Sequence, residues 1–127
     1  MAKKLQKKKT IKEVAKAIIN INSSFNNTII TITDENGGVL GWASSGSAGF
    51  KCTKKSTPYA AQLTMKKALE NVAPYAIKEA KVRVSGVGAG RESAARAIGG
   101  SGIKVTNMKD ITPIPHNGCR AKKARRV

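Results

Sequence analysis

The sequence predicts one α/β domain. It is a mixed sheet of about five strands in the order βββαβαβ, with two helices and a basic arm at each end. Three observations carry this reading. The first part of the chain alternates β-branched and polar residues between turn signals. One segment, 57–72, repeats its apolar residues at helical spacing. A strand, a glycine loop, a short helix and another strand follow, the order of parallel pairing through crossovers.

Each element has its own reason. Ala17–Asn22 alternates Ile19 and Ile21 with Asn20 and Asn22, a half-buried strand. Ser23–Asn27 is turn chemistry, and Thr28–Thr33 is β-branched throughout. Asn36-Gly37 signals a hairpin, and Val39–Ser45 is a third strand carrying Trp42. These three strands form an antiparallel meander. Gly46–Ser56 is too glycine-rich and basic for a strand. Ser56 or Thr57 caps the next helix, and Pro58 suits its first turn. Ala61, Met65, Ala68, Leu69 and Val72 line one buried face, opposite Gln62, Lys66, Lys67 and Glu70. Pro74 ends the helix. Lys81–Ser85 is a fourth strand, Gly86–Gly90 a loop, Arg91–Ile98 a short helix and Ile103–Met108 the last strand.

The chain is one domain in length, 127 residues, with 24 Lys+Arg, 7 Asp+Glu and a net charge of +17. Aromatics are 4%, so the core is built from Ile, Val, Ala and Leu. Such a charge costs self-repulsion in isolation and is tolerated against a polyanion. Nucleic acid is the leading partner and an anionic membrane surface the alternative. No apolar run reaches the roughly 20 residues of a membrane span, and the basic N-terminus lacks the apolar stretch of a secretory signal. The expected compartment is the cytoplasm. Cys52 and Cys119 form no CxxC pair and read as free thiols.

The charge is uneven. Residues 1–16 and 116–127 hold twelve of the 24 basic groups and one acid, Glu13, a net +11. The chain therefore divides into an N-terminal arm (1–16), a globule (17–115) and a C-terminal arm (116–127). Both arms are expected to contact phosphates.

Four segments could carry binding chemistry. GVGAG, with Gly86, Gly88 and Gly90, precedes Arg91 and Arg96 on a helix. Backbone amides at such a helix start can hold a phosphate. The glycines could instead serve a tight turn and close packing. A dinucleotide site is disfavoured by the GxGxG spacing and the two-turn helix. The second segment is Lys51, Lys54, Lys55 and Ser56 before a helix start, where lysines and hydroxyls favour an anion. The third is the turn with Asn26 and Asn27, whose amides could reach bases or ribose. Turn formation accounts for them equally well. Phe25 beside them is expected in the core rather than as a stacking platform. The fourth is PIPHNGCR. There His116 and Asn117 form an elbow launching Arg120, Lys122, Lys123, Arg125 and Arg126.

Catalysis is not expected. The seven acids fall mostly in turns, helices and flanks, and no nucleophile–base pair occurs. His116 is the single histidine, with no acid to orient it and too few partners for zinc. No metal, cofactor or small-molecule substrate is expected.

The segments SFNNTIITITDENG, LGWASSG, KKSTPYAAQ, GVGAGRESAARAI and TNMKDITPIPHNGCR closely resemble the eleventh-protein family of the small ribosomal subunit, in its bacterial or organellar form. The resemblance covers nearly the whole chain after the first dozen residues. It implies a mixed sheet related in topology to ribonuclease H but lacking the catalytic acids. It also implies a structural protein that binds small-subunit rRNA in the platform near the mRNA exit region, beside neighbouring platform proteins and with no membrane partner. RNA contacts would fall on the Asn26/Asn27 turn, the Lys54-Lys55-Ser56 loop, the Arg91–Arg96 helix start and the His116–Arg126 tail. Val87 and Ala89 stand where the family pattern has prolines, as do Ala121 and Lys122 in the tail.

Overall fold

A computed structural model describes residues 12–126. The N-terminal arm predicted from the lysine run therefore lies outside the described residues up to Ile11. Five strands, β1 (Lys16–Ser23), β2 (Thr28–Asp34), β3 (Val39–Ser44), β4 (Glu79–Ser85) and β5 (Lys104–Asp110), form one mixed sheet in the order β3-β2-β1-β4-β5. β1, β2 and β3 pair antiparallel, while β4 lies parallel to β1 and β5 parallel to β4. Two helices, α1 (Pro58–Val72) and α2 (Gly90–Ile98), complete the expected βββαβαβ order. Short 3-10 turns lie at Cys52–Ser56, Ala73–Tyr75 and Gly99–Ser101.

The helices cover one sheet face. Cross-strand partners Ile19–Ile32, Ile21–Ile30, Ile19–Val82 and Ile21–Val84 all belong to a core shared with Ala61, Met65, Ala68 and Val72 of α1 and Ala94 and Ile98 of α2. The period-2 pattern thus selects the face, and area burial of these aliphatic side chains stabilises it. Small residues let the layers approach. A Cβ on Gly41 of β3 would lie 2.8 Å from Val72 Cγ1, so only glycine admits α1 so close.

Element boundaries shift modestly from expectation. Thr57, not Ser56, caps α1, its Oγ1 accepting from Ala60 N at 3.3 Å. Leu69 is only partly buried, while Ala60 and Thr64 join the buried face. Thr64 is accommodated because its hydroxyl donates to Ala60 O at 2.6 Å. β4 starts at Glu79 and β5 runs on to Asp110 because parallel pairing extends both beyond their alternating cores. One expectation fails. Phe25 is 75% exposed at the tip of the β1–β2 turn, since the chain reverses there with no element above it.

Candidate nucleic-acid interface

The strand directions decide where the predicted segments meet. β1, β3, β4 and β5 all point the same way. The Ser24–Asn27 turn, the 45–57 loop, the glycine loop and the C-terminal tail therefore all leave the same end of the sheet. This end is called here the loop end. These segments carry nine basic residues: Lys51, Lys54, Lys55, Arg91, Arg120, Lys122, Lys123, Arg125 and Arg126. The acids beside them are Asp110, at the end of β5, and Glu92, next to Arg91 on α2.

The turn and the glycine loop are interlocked. Ser24 Oγ accepts from the backbone N–H of Asn26 at 3.3 Å and of Asn27 at 3.1 Å. Asn27 Oδ1 accepts from Thr28 N at 2.9 Å, so its amide partly builds the turn. The Asn26 side chain is exposed. Gly88 N donates to Ser23 O at 2.9 Å. A Cβ on Gly86 would lie 2.1 Å from Ser23 O, one on Gly88 2.2 Å from Ser24 O, and one on Gly90 2.7 Å from Thr28 Oγ1. Gly86 also has φ +96°, a left-handed conformation open to glycine. Close packing thus accounts for all three glycines. The amides of Gly86 and Gly88 are hydrogen-bonded internally, which takes two donors away from any phosphate cradle.

Arg91 is similarly engaged. Its Nη1 donates to Gly86 O at 2.9 Å, and its Nη2 pairs with Asp110 Oδ2. Asp110 Oδ1 accepts from Thr112 N at 3.0 Å and Thr112 Oγ1 at 2.6 Å. Thr112 Oγ1 in turn accepts from Gly86 N at 3.2 Å. The ring closes: glycine loop, first turn of α2 and origin of the tail hold one another. The Thr112 hydroxyl, then the Thr112 N–H, then the Arg91 guanidinium keep the Asp110 carboxyl well below the usual carboxylate range. Asp110 and Thr112, which tie these segments together, were not singled out by sequence reasoning. The carboxylate's place opposite Arg91 follows from β4–β5 register, which puts Asp110 beside Val84. The sequence signal was DIT, an acid two residues before a threonine.

The lysine loop is joined to this end as well. Ser45 N donates to Thr28 O at 3.0 Å, and the Ser45 and Thr64 hydroxyls lie 3.2 Å apart. Lys51 and Lys54 are exposed, Lys55 and Ser56 half-buried. Arg96 stands further along α2, highly exposed, 3.9 Å from Glu92. His116, Asn117, Arg120, Lys122, Lys123, Arg125 and Arg126 lie in an exposed extended tail, with Asn117 at φ +59°. Cys119 is exposed and free. The Cys52 side chain lies outside those described.

Among the described residues, the other end of the sheet is balanced in charge. The opposite end of the sheet holds Lys12, Lys16, Lys78 and Lys104 against Glu13, Asp34, Glu35 and Glu79. Among the described residues no three His, Cys, Asp or Glu side chains gather closely enough to hold a metal.

Comparison with known proteins adds one consistent result. The family model for ribosomal protein S11 matches residues 17–126. A protein of Aquifex aeolicus named small ribosomal subunit protein uS11 is 54% identical over 127 residues, all of both chains. Proteins of the same name from Sulfurimonas denitrificans and Wigglesworthia glossinidia brevipalpis are 52% and 51% identical. They cover 98% and 97% of this chain and 97% and 94% of their own.

Proposed function

The chain belongs to the ribosomal protein S11 family, and on that premise we propose how it serves the small ribosomal subunit. It is a non-catalytic structural constituent of the cytoplasmic small subunit, with rRNA and other ribosomal proteins as its partners. Its finer place is the platform, near the mRNA exit region. The rRNA is gripped by the loop end of the sheet, with both arms extending the contact.

The observation that carries this is the convergence of four segments with nine basic residues on one end of a sheet whose other end, among the described residues, is balanced. Within that end, and at Arg96 further along α2, the residues divide the work. Lys51, Lys54, Lys55, Arg96, Arg120, Lys122, Lys123, Arg125 and Arg126 meet phosphates. Asn26, Asn27, Ser56, His116 and Asn117 meet sugars or base edges. Gly86, Gly88, Gly90 and Arg91 position the others, as their contacts with Ser23, Ser24 and Asp110 indicate. Phe25, exposed beside the asparagines, is free to stack on an unpaired base.

Filter binding to small-subunit rRNA over a range of salt tests the reading. Each contacted phosphate contributes about 0.7–0.9 to the log–log slope. Removing residues 116–127, with five basic groups, is expected to lower the slope by roughly 3.5–4.5. A near-flat salt response of the full chain would overturn it.

A further inference from the structure

Among the described residues no helix covers the second face of the sheet, and that face carries its own pattern. Register places Trp42, Thr31, Asn20, Arg83 and Lys109 in one row across all five strands. At four strand spacings the row runs about 19 Å. The neighbouring row toward the loop end is Ser44, Ile29, Asn22 and Ser85. On the other side Lys81 and Asn107 are paired. Trp42 is 56% exposed and Ile29 43%. Arg83, Lys109, Lys81, Asn22 and Asn107 are exposed as well. The face closes only lower down, where Ile18 and Thr33 are buried.

These rows contain no acid; the first on this face is Glu79, at the far end of β4. A core function cannot explain Trp42, since its partner positions Thr31 and Asn20 are polar. Nor does residues 1–11 complement the face, with five lysines and no acid. An apolar ring at one side, carboxamides in the middle and three cations at the other fit one kind of occupant. The ring stacks a base, the carboxamides reach base edges and ribose, and the cations neutralise the backbone.

We propose that the open sheet face is a second RNA-binding surface, holding an unpaired strand of RNA by stacking on Trp42 and phosphate contact with Arg83, Lys81 and Lys109. It rests on the RNA-binding reading above but uses none of the loop-end residues.

Trp42 is the single tryptophan of the chain, so its fluorescence reports from this face alone. The full chain is titrated with a labelled twelve-nucleotide oligoadenylate, reading label anisotropy and tryptophan emission together. Quenching in step with anisotropy is expected. Trp42→Ala is expected to weaken binding at least about five-fold, as the loss of one stacked base would. Trp42→Phe should recover much of it. Arg83→Ala should weaken both signals together, and Lys66→Ala, exposed on α1, should change neither. Rising anisotropy with unchanged tryptophan emission and an unaffected Trp42→Ala variant would overturn this proposal and leave the loop-end reading standing. That result would assign the face to a protein neighbour instead. No rise in anisotropy would overturn this proposal, while the loop-end reading stands or falls by filter binding to small-subunit rRNA.

Discussion

The β2–β3 turn and the loop end are built from similar turn residues and held by different kinds of contact. At the end holding the β2–β3 turn, Asp34 Oδ1 accepts from Asn36 N at 3.0 Å and Gly38 N at 2.7 Å. The turn satisfies itself within five residues. At the loop end the decisive contacts join segments far apart in the chain: Gly88 to Ser23, Gly86 to Thr112, Arg91 to Asp110 and Ser45 to Thr28. A self-contained turn can vary without consequence elsewhere. An interlocked set of loops presents several chemical groups in fixed relation, which recognition of a folded polyanion requires. Among the described residues the charge follows the same division, balanced at one end and strongly basic at the other.

The sharpest way to break the comparison is one substitution made at both ends. Gly88→Ala drives a Cβ to 2.2 Å from a backbone carbonyl, Ser24 O. The turn or the loop must move, and we expect a loss of about 3 kcal/mol or more in urea unfolding. Gly37→Ala meets nothing within 4 Å and suffers only its positive φ of 91°, a cost of about 1 kcal/mol. Equal losses would mean that the loop end is no more tightly interlocked than the other.

A smaller effect separates the ends by charge. Lys54→Ala with Lys55→Ala should lower the salt slope of rRNA binding by roughly 1.4–1.8, two phosphates' worth. Lys78→Ala with Lys104→Ala, at the balanced end, removes the same formal charge and should leave the slope nearly unchanged. If both pairs lower it equally, net charge rather than placement governs binding.

Much of this fold was legible in the sequence because its signals are local. The isoleucine alternation of β1, the β-branched run of β2, the Asn36-Gly37 hairpin, the Thr57-Pro58 helix start and the spacing of Met65, Ala68 and Val72 each act within a few residues. The core followed from them. The site was legible by residue type and only partly by role. Gly86, Gly88 and Gly90 read first as a phosphate cradle and second as packing, because the atoms that exclude a Cβ belong to Ser23, Ser24 and Thr28, more than sixty residues earlier. Phe25 reads as core when neighbours are weighed by hydropathy alone, and its exposure depends on nothing lying above the turn. The open face with Trp42, Arg83 and Lys109 requires the register of all five strands, which no single segment encodes.

Asp110 gives the finest test, because two accounts predict opposite signs. If Arg91 acted mainly as a phosphate ligand, Asp110 would compete with the RNA for it, and Asp110→Asn would tighten binding. If Arg91 and Asp110 instead latch the glycine loop to the origin of the tail, the same substitution loosens the tail. Binding then weakens, although the protein gains one positive charge. We expect weakening of about two- to five-fold, modest because the pair is partly exposed. Asp34→Asn at the other end should not weaken binding at all. The pH dependence follows from the direction of the shift. Asp110 is held ionised below the usual carboxylate range by Thr112 and Arg91. A depressed carboxylate makes its full contribution above the unfolded value of about 3.9 and loses it only as pH falls through the folded one. The ratio of wild-type to Asp110→Asn affinity should therefore hold constant from pH 7 to about pH 5. Tighter binding by Asp110→Asn, or a ratio that collapses across that window, would return Arg91 to the phosphate-binding set.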